Sequence, residues 1–221
     1  MCSPRIITTG DCSHSIYNSK LKEHYHSDKG AISESKHVYI ENGLSQIKKN
    51  SINILEVGFG TGLNALLSYQ YAKENELNIN YITIEKYPLP AELIQQLNYA
   101  DLLSLDNNIF SKMHESTWNK EVKLDKSFYL HKIKTDLVNF DFAILPKIDL
   151  VYYDAFSPSK QPELWTRDLF EKNYQKMAAN SLLTTYSSAG IVKRGLRAAG
   201  FHVQRKPGAD GKFHMLNAFK N

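Results

Sequence analysis

The chain has 221 residues, 42% of them hydrophobic and 23% charged, an ordinary globular composition with room for one sizeable core in a single domain. No apolar run approaches the ~20 residues of a membrane span. The first twenty residues lack a signal-type apolar core, and Cys2 and Cys12 make neither a disulfide framework nor a metal-ligand spacing. The expectation is a reduced cytosolic protein. The net charge of +4 is uneven: from Ala189 onward seven basic residues face one acid, Asp210, leaving −2 for the rest. Such a segment is either a solvated basic edge or a surface that meets phosphates.

Residues 1–32 are turn-rich and read as an irregular extension that could cover a site, with His24 and His26 as loop or surface histidines. The main domain is expected over 33–221. Ser33 is a good N-cap for a helix through "ESKHVYIENGLSQIKK". "INILEV" (52–57) reads as a buried strand, "LNALLSYQYAKEN" (63–75) as a helix, and "INYITIE" (79–85) as a second strand. A helix opened by Pro90 is expected over 91–104. Residues 106–127 are polar and ambiguous. Strands follow at 128–135 and 148–154, and an amphipathic helix with Pro near its first turn at 162–179. A strand at 181–187 precedes a helix at 189–199 that ends on Gly200. "FHVQRK" and "FHMLNAF" close the chain as an antiparallel edge hairpin. This alternation predicts an α/β fold with a mainly parallel seven-stranded sheet.

"ILEVGFGTGLNALL" places Glu56, Gly58, Gly60 and Gly62 between a strand and a helix. Glycines there let the backbone turn sharply and approach a ligand closely. A dinucleotide fingerprint needs Gly or Ala where Leu63 stands, so the G-x-G-x-G spacing behind an acid fits S-adenosylmethionine instead. Glu85 ends the second strand, where a carboxylate matches two vicinal ribose hydroxyls. Asp136 either accepts from an adenine amine or caps the next helix.

Asp154 ends "VYYD" and opens the loop "AFSPSKQPELW". Phe156, Pro158, Pro162 and Trp165 read as a stiff apolar wall, with Ser157 and Lys160 as polar groups. Phe156 and Trp165 either border a splayed-out base or pack in the core. On the helix at 189–199, Lys193, Arg194 and Arg197 share one side while Ile191, Val192, Leu196 and Ala199 supply the buried side.

"EVGFGTGLN", "IEKYP", "YYDAFSPSKQPELW", "YSSAGIVKRGLRAAGF" and "KFHML" together resemble the methyltransferase domain of MnmC-type tRNA wobble-uridine modification enzymes. The front segments "TTGDCSHSIY" and "HYHSDKGAISESKHVYIENGL" resemble that family's start, and the match is poorest at 106–130. The resemblance implies a Rossmann-like class I methyltransferase that uses S-adenosylmethionine and no metal. It would convert 5-aminomethyl-(2-thio)uridine at the wobble position to 5-methylaminomethyl-(2-thio)uridine, with the tRNA anticodon stem-loop as partner. The bifunctional family form carries a flavin-dependent oxidase domain that makes the amine. Its absence here implies the methyl-transfer half alone, with separate enzymes supplying the precursor. Asp154 and Phe156 are then the expected catalytic pair. Glu56, Gly58, Gly60, Gly62, Asn64, Glu85, Lys86 and Asp136 would hold the cofactor, and Trp165, Lys160, Lys193, Arg194 and Arg197 the substrate.

An aspartate near ~3.9 is too weak to take the proton of an alkyl ammonium near ~10.4 outright. Asp154 is therefore expected to orient the amine and stabilise its growing charge rather than act as a simple general base. Two rivals share the pattern. A polyamine aminopropyltransferase would present several acids to its substrate, whereas the last third here is basic. A non-catalytic RNA-binding module would not need the glycine loop, Glu85 and Asp154.

Overall fold

The computed structural model describes residues 4–209 and 211–221; Cys2 and Asp210 lie outside the described residues. Eight strands make the central sheet: β4 (Ser51–Val57), β5 (Asn78–Glu85), β6 (Glu121–Lys123), β7 (Phe128–Lys134), β8 (Ile148–Tyr153), β9 (Met177–Thr185), β10 (His202–Pro207) and β11 (His214–Lys220). Their order is β10-β11-β9-β8-β4-β5-β7-β6. β9, β8, β4, β5 and β7 run parallel. β11 runs antiparallel to both β9 and β10, so the closing hairpin folds back and puts β10 at the edge.

All six residues of β8 are buried, because a central parallel strand is covered on both faces. Alternate residues serve two cores. Ile54, Leu150 and Tyr152 pack with Leu63 and Leu66 of α2 (Leu63–Glu74). Leu55, Val57, Val151 and Tyr153 pack with Leu169 and Phe170 of α6 (Arg167–Lys176) and with Val192 and Leu196 of α7 (Gly190–Ala198). β5 lies on one side of β4 and β8 on the other. The crevice outside the carboxyl ends of these strands is where ligands bind in open α/β sheets.

Several expectations change. The described part of residues 1–32 is not irregular throughout: β1 (Arg5–Thr8), β2 (His14–Asn18) and β3 (Glu23–His24) form a separate antiparallel sheet. Pairing between segments leaves only a weak local signal in such short strands. The first helix, α1 (Ala31–Ser35), starts before Ser33, with Gly30 at its N-cap, and runs into a π-helical turn over Lys36–Glu41. The helix expected over 91–104 is two short ones, α3 (Ala91–Ile94) and α4 (Tyr99–Leu102). The ambiguous stretch contains α5 (Asn107–Glu115), capped by Asp106, and β6, which adds an eighth strand to the expected seven. In 162–179 only Arg167–Lys176 is α-helical, because Thr166 caps it and accepts from the Leu169 N–H.

Candidate active site

A cavity of about 1230 Å3 opens at the carboxyl ends of β4, β5 and β8, beneath the N-terminal sheet. Its walls include Gly58, Gly60, Asn64, Glu85, Lys86, Asp136, Asp154, Phe156 and Lys160, so the fold gathers most of the expected site.

The turn after β4 requires glycine. Gly58 has φ 91°, and a Cβ there would stand 2.7 Å from the Asp154 carbonyl oxygen. Gly60 has φ 49° and lies under the Tyr25 ring. Glu85 accepts from the Gly60 N–H at 3.2 Å and the Tyr87 N–H at 2.8 Å, which ties the end of β5 to the loop. Asp136 takes the second of its two expected roles, capping the following turn through the Val138 N–H, and also pairs with Lys86 at 2.7 Å. That pair holds the Asp136 carboxyl below its ordinary range.

Two expected cofactor residues stand behind this surface. Glu56 is fully buried and accepts from Asn64 Nδ2 at 3.1 Å. Burial pushes its carboxyl well up, and it does not line the cavity. Its second oxygen and the Tyr81 and Thr83 hydroxyls are buried without a hydrogen-bond partner among the described residues. Gly62, with φ 75°, faces His114, whose Nε2 a Cβ would meet at 2.7 Å. Its role is to let the helix α5 side pack against the loop.

Asp154 follows β8 directly, and both its oxygens are held. Tyr39 donates to Oδ1 at 2.5 Å, and Asn64 Nδ2 donates to Oδ2 at 2.8 Å. Burial pushes its carboxyl up to about 7, against the lowering effect of these two bonds; nearby Glu34 raises it further and Lys212 lowers it. This corrects the expectation of an ordinary weak aspartate. Phe156 packs edge-on against Tyr25, with ring centroids 4.8 Å apart.

Trp165 is not a substrate-facing residue. It is 2% exposed in the α6–α7 core, and its Nε1 donates to the Phe156 carbonyl at 2.8 Å, holding the acceptor loop from behind. Ser157 is engaged too, since its hydroxyl donates to Glu23 at 3.0 Å. Lys193, Arg194 and Arg197 lie outside the cavity on α7, and Ile191, expected on the buried side, is 54% exposed. His26 is a loop histidine, as expected, but half-buried on the cavity wall rather than at the open surface. It bonds Thr61 Oγ1 at 2.8 Å, and burial keeps it neutral down to about 4.

Tyr39, Tyr25, Glu34, Tyr186 and Lys212 were absent from the expected site. Lys212 bonds Glu34 and lies over the Tyr186 ring at 5.1 Å. "HYHSDKGAISESKHVYIENGL", "YSSAGIVKRGLRAAGF" and "KFHML" carried a family signal at all five positions without showing where they point. Among the described residues there is no cluster of His, Cys, Asp and Glu able to hold a metal, and no helix is long and apolar enough to cross a membrane.

A family described as S-adenosyl-L-methionine-dependent methyltransferase matches residues 85–221. The chain belongs to this family. The match takes in Glu85, Asp136 and Asp154, and the glycine loop precedes it. The methyltransferase chain is similar to the tRNA 5-methylaminomethyl-2-thiouridine biosynthesis bifunctional protein MnmC of Methylobacillus flagellatus. Identity is 31% over 216 residues, covering 90% of this chain and 33% of that protein. The Cupriavidus metallidurans protein of the same name is 30% identical, covering 91% and 32%. The chain thus spans about a third of the length of these relatives. The crystal structure of MNMC2 from Aquifex aeolicus superposes with a TM-score of 0.82 at 25% identity, covering 99% of this chain and 70% of that one. Spermidine synthase from Thermotoga maritima, at TM-score 0.52 and 12% identity, shares the fold alone.

S-adenosylmethionine fits the cavity. Asn64 Oδ1 is buried without a hydrogen-bond partner on the cavity wall, an acceptor suited to an amino group. Glu85 keeps lone pairs beyond its two backbone bonds, suited to hydroxyl donors.

Proposed function

We propose that this methyltransferase acts on the primary amine of 5-aminomethyl-(2-thio)uridine at the wobble position of tRNA, giving the 5-methylaminomethyl product, in the cytosol. The carrying observation is Asp154, doubly held and raised to about 7 at the acceptor end of a cofactor cavity. The names of the relatives support the substrate. Separate enzymes would supply the aminomethyl precursor.

Glu85, Asn64 and the backbone at Gly58 and Gly60 would hold S-adenosylmethionine, with Lys86 and Asp136 at the rim. When bound, the cofactor supplies an electrophilic methyl group. Asp154 prepares the acceptor. An alkyl ammonium near ~10.4 has no lone pair, and passing its proton to an ordinary aspartate costs about 9 kcal/mol. With Asp154 at about 7 the cost falls to about 5 kcal/mol, which makes it a competent proton acceptor as well as an orienting group. Tyr39 and Asn64 fix the carboxylate, so its charge faces the nitrogen without reorganisation. Phe156 would border the uracil ring.

The N-terminal sheet would serve as the cover of the acceptor side, since residues from Asn18 to Asp28 line the cavity and Glu23 grips Ser157. The phosphate backbone would meet the edge formed by α7 and β10. Lys193, Arg194 and Arg197 stand there with Arg205 and Lys206, and none has an ion-pair partner among the described residues. Arg205 first, then burial, Arg197 and Arg194, hold the Lys193 ammonium below its ordinary value, the mark of uncompensated like charge. Incubation with labelled cofactor and undermodified tRNA, followed by nucleoside analysis, tests the reading: label must appear in 5-methylaminomethyl-(2-thio)uridine. Label in another nucleoside, or none, sinks it.

A further inference from the structure

Lys132 on β7 is 1% exposed, yet no carboxylate among the described residues lies within ion-pair distance of it. Its Nζ donates to the His114 carbonyl at 2.5 Å, near the carboxyl end of α5. The ammonium also lies over two rings, Trp118 at 4.7 Å and Phe59 at 5.6 Å. Phe59 belongs to the glycine loop. His114, which Lys132 holds by its carbonyl, places its ring nitrogen Nε2 3.1 Å from the carbonyl oxygen of Thr61 in the same loop. One buried cation therefore touches Phe59 directly and Thr61 through His114, on either side of Gly60.

We propose that Lys132 is a positioning residue for the cofactor loop: its ammonium, caged by Phe59 and Trp118 and bound to the His114 carbonyl, holds the Phe59–Thr61 segment in its S-adenosylmethionine-binding shape. The apolar alternative at a buried β7 position is simpler to accommodate, because a desolvated ammonium opposes folding. A cation kept there serves something other than stability.

The surroundings define how it titrates. His114 of α5 faces it and stays neutral down to about 3, through burial first and then the Lys132 charge. On β5 its register partner is Thr83, and beyond that on β4 stands Glu56, whose carboxyl burial pushes well up. Trp118 and Phe59 carry no charge. Burial brings the Lys132 ammonium down to about 8. Deprotonation above that value removes the cation–π attraction to Phe59, so the loop loosens. For folding the sign is opposite. A lysine with a lowered folded value binds fewer protons than in the unfolded chain, so stability rises with pH between about 8 and its ordinary 10.5.

The test compares wild type, Lys132→Met and Lys132→Arg by calorimetric titration with S-adenosylmethionine and S-adenosylhomocysteine at pH 7 to 9.5, together with thermal melts and no tRNA. Lys132→Met should melt higher than wild type yet bind both ligands about tenfold more weakly at pH 7. Lys132→Arg should regain part of that affinity. The fall in wild-type affinity above about pH 8 should be larger than in either variant, since any titration of the ligand itself is common to all three. Lys132→Met binding like wild type overturns the proposal. So does a variant that loses melting temperature and affinity together, which would make Lys132 a packing residue only, and so does an identical pH profile in wild type and Lys132→Arg.

Discussion

Tyr39 and Asp154, 115 residues apart in the chain, meet through a 2.5 Å hydrogen bond at the acceptor end of the cavity. The bond favours the carboxylate and opposes the burial that raises Asp154. Tyr39→Phe should therefore push Asp154 above about 7 and move the acid limb of the single-turnover profile up by roughly one pH unit. Methyl transfer should be slow at pH 7 and recover near pH 9, with cofactor affinity unchanged. A profile superimposable on wild type would remove Tyr39 from the mechanism.

Asp154 also links activity to stability. Its folded value is raised, so the folded state binds the proton more tightly than the unfolded chain. Stability is greatest below the ordinary carboxylate range and declines as pH rises through about 7. Asp154→Asn should raise the melting temperature at pH 8 and leave it nearly unchanged at pH 4, while methyl transfer collapses at pH 8. A melting gain of equal size at the two pH values contradicts the raised carboxyl.

On the cofactor side, Glu85→Ala removes acceptors for hydroxyl donors and the brace on the Gly60 N–H. Each charge-assisted bond contributes about 1.5–3 kcal/mol before water compensates, so affinity for S-adenosylmethionine should fall at least about tenfold. Gly58→Ala should do more, because its Cβ would stand 2.7 Å from the Asp154 carbonyl at φ 91°. Calorimetry on folded protein decides, and wild-type affinity in Glu85→Ala would take Glu85 out of the site.

Trp165 separates packing from recognition. Trp165→Ala should destabilise by about 3–5 kcal/mol, as for a buried tryptophan. Trp165→Phe keeps most of the packing but removes the donor to the Phe156 carbonyl, a loss of about 1–3 kcal/mol. It should raise the KM for tRNA without touching cofactor affinity. An unchanged KM would mean that the loop holds its shape without this bond.

The proposed role of the basic edge is tested through its charge. Replacing Lys193, Arg194 and Arg197 together by Ala should flatten the slope of log affinity for tRNA against log salt by up to about three. S-adenosylmethionine binding should be unaffected. If the triple variant keeps the wild-type salt slope, the edge is a solvated face and tRNA docks elsewhere.

The glycine loop, the alternation of strands and helices, and Asp154 at the end of an apolar strand were legible in the sequence, because each rests on short-range rules. Glycines accept positive φ, buried strands read as apolar runs, and a strand end in a parallel sheet points at the crevice. What lies on either side of a surface is not a local property. Glu56 and Gly62 belong to the same motif as Gly58 and Gly60, yet only packing against Asn64 and His114 turned them away from the cavity. Trp165 could border a base or pack in the core, and α6 and α7 closing over it decided for the core. Tyr39 lay in a family-like segment that gave it no role, and it reached Asp154 only because the chain before β4 packs against β9 and β8. The N-terminal cover depended on pairing among short strands, and the proton affinities of Asp154 and Lys132 on desolvation by segments distant in the chain. Local sequence determined which chemical groups this methyltransferase carries; the tertiary packing decided which of them face the ligand and in what charge state, since both burial and side-chain direction are set by neighbours the sequence does not place.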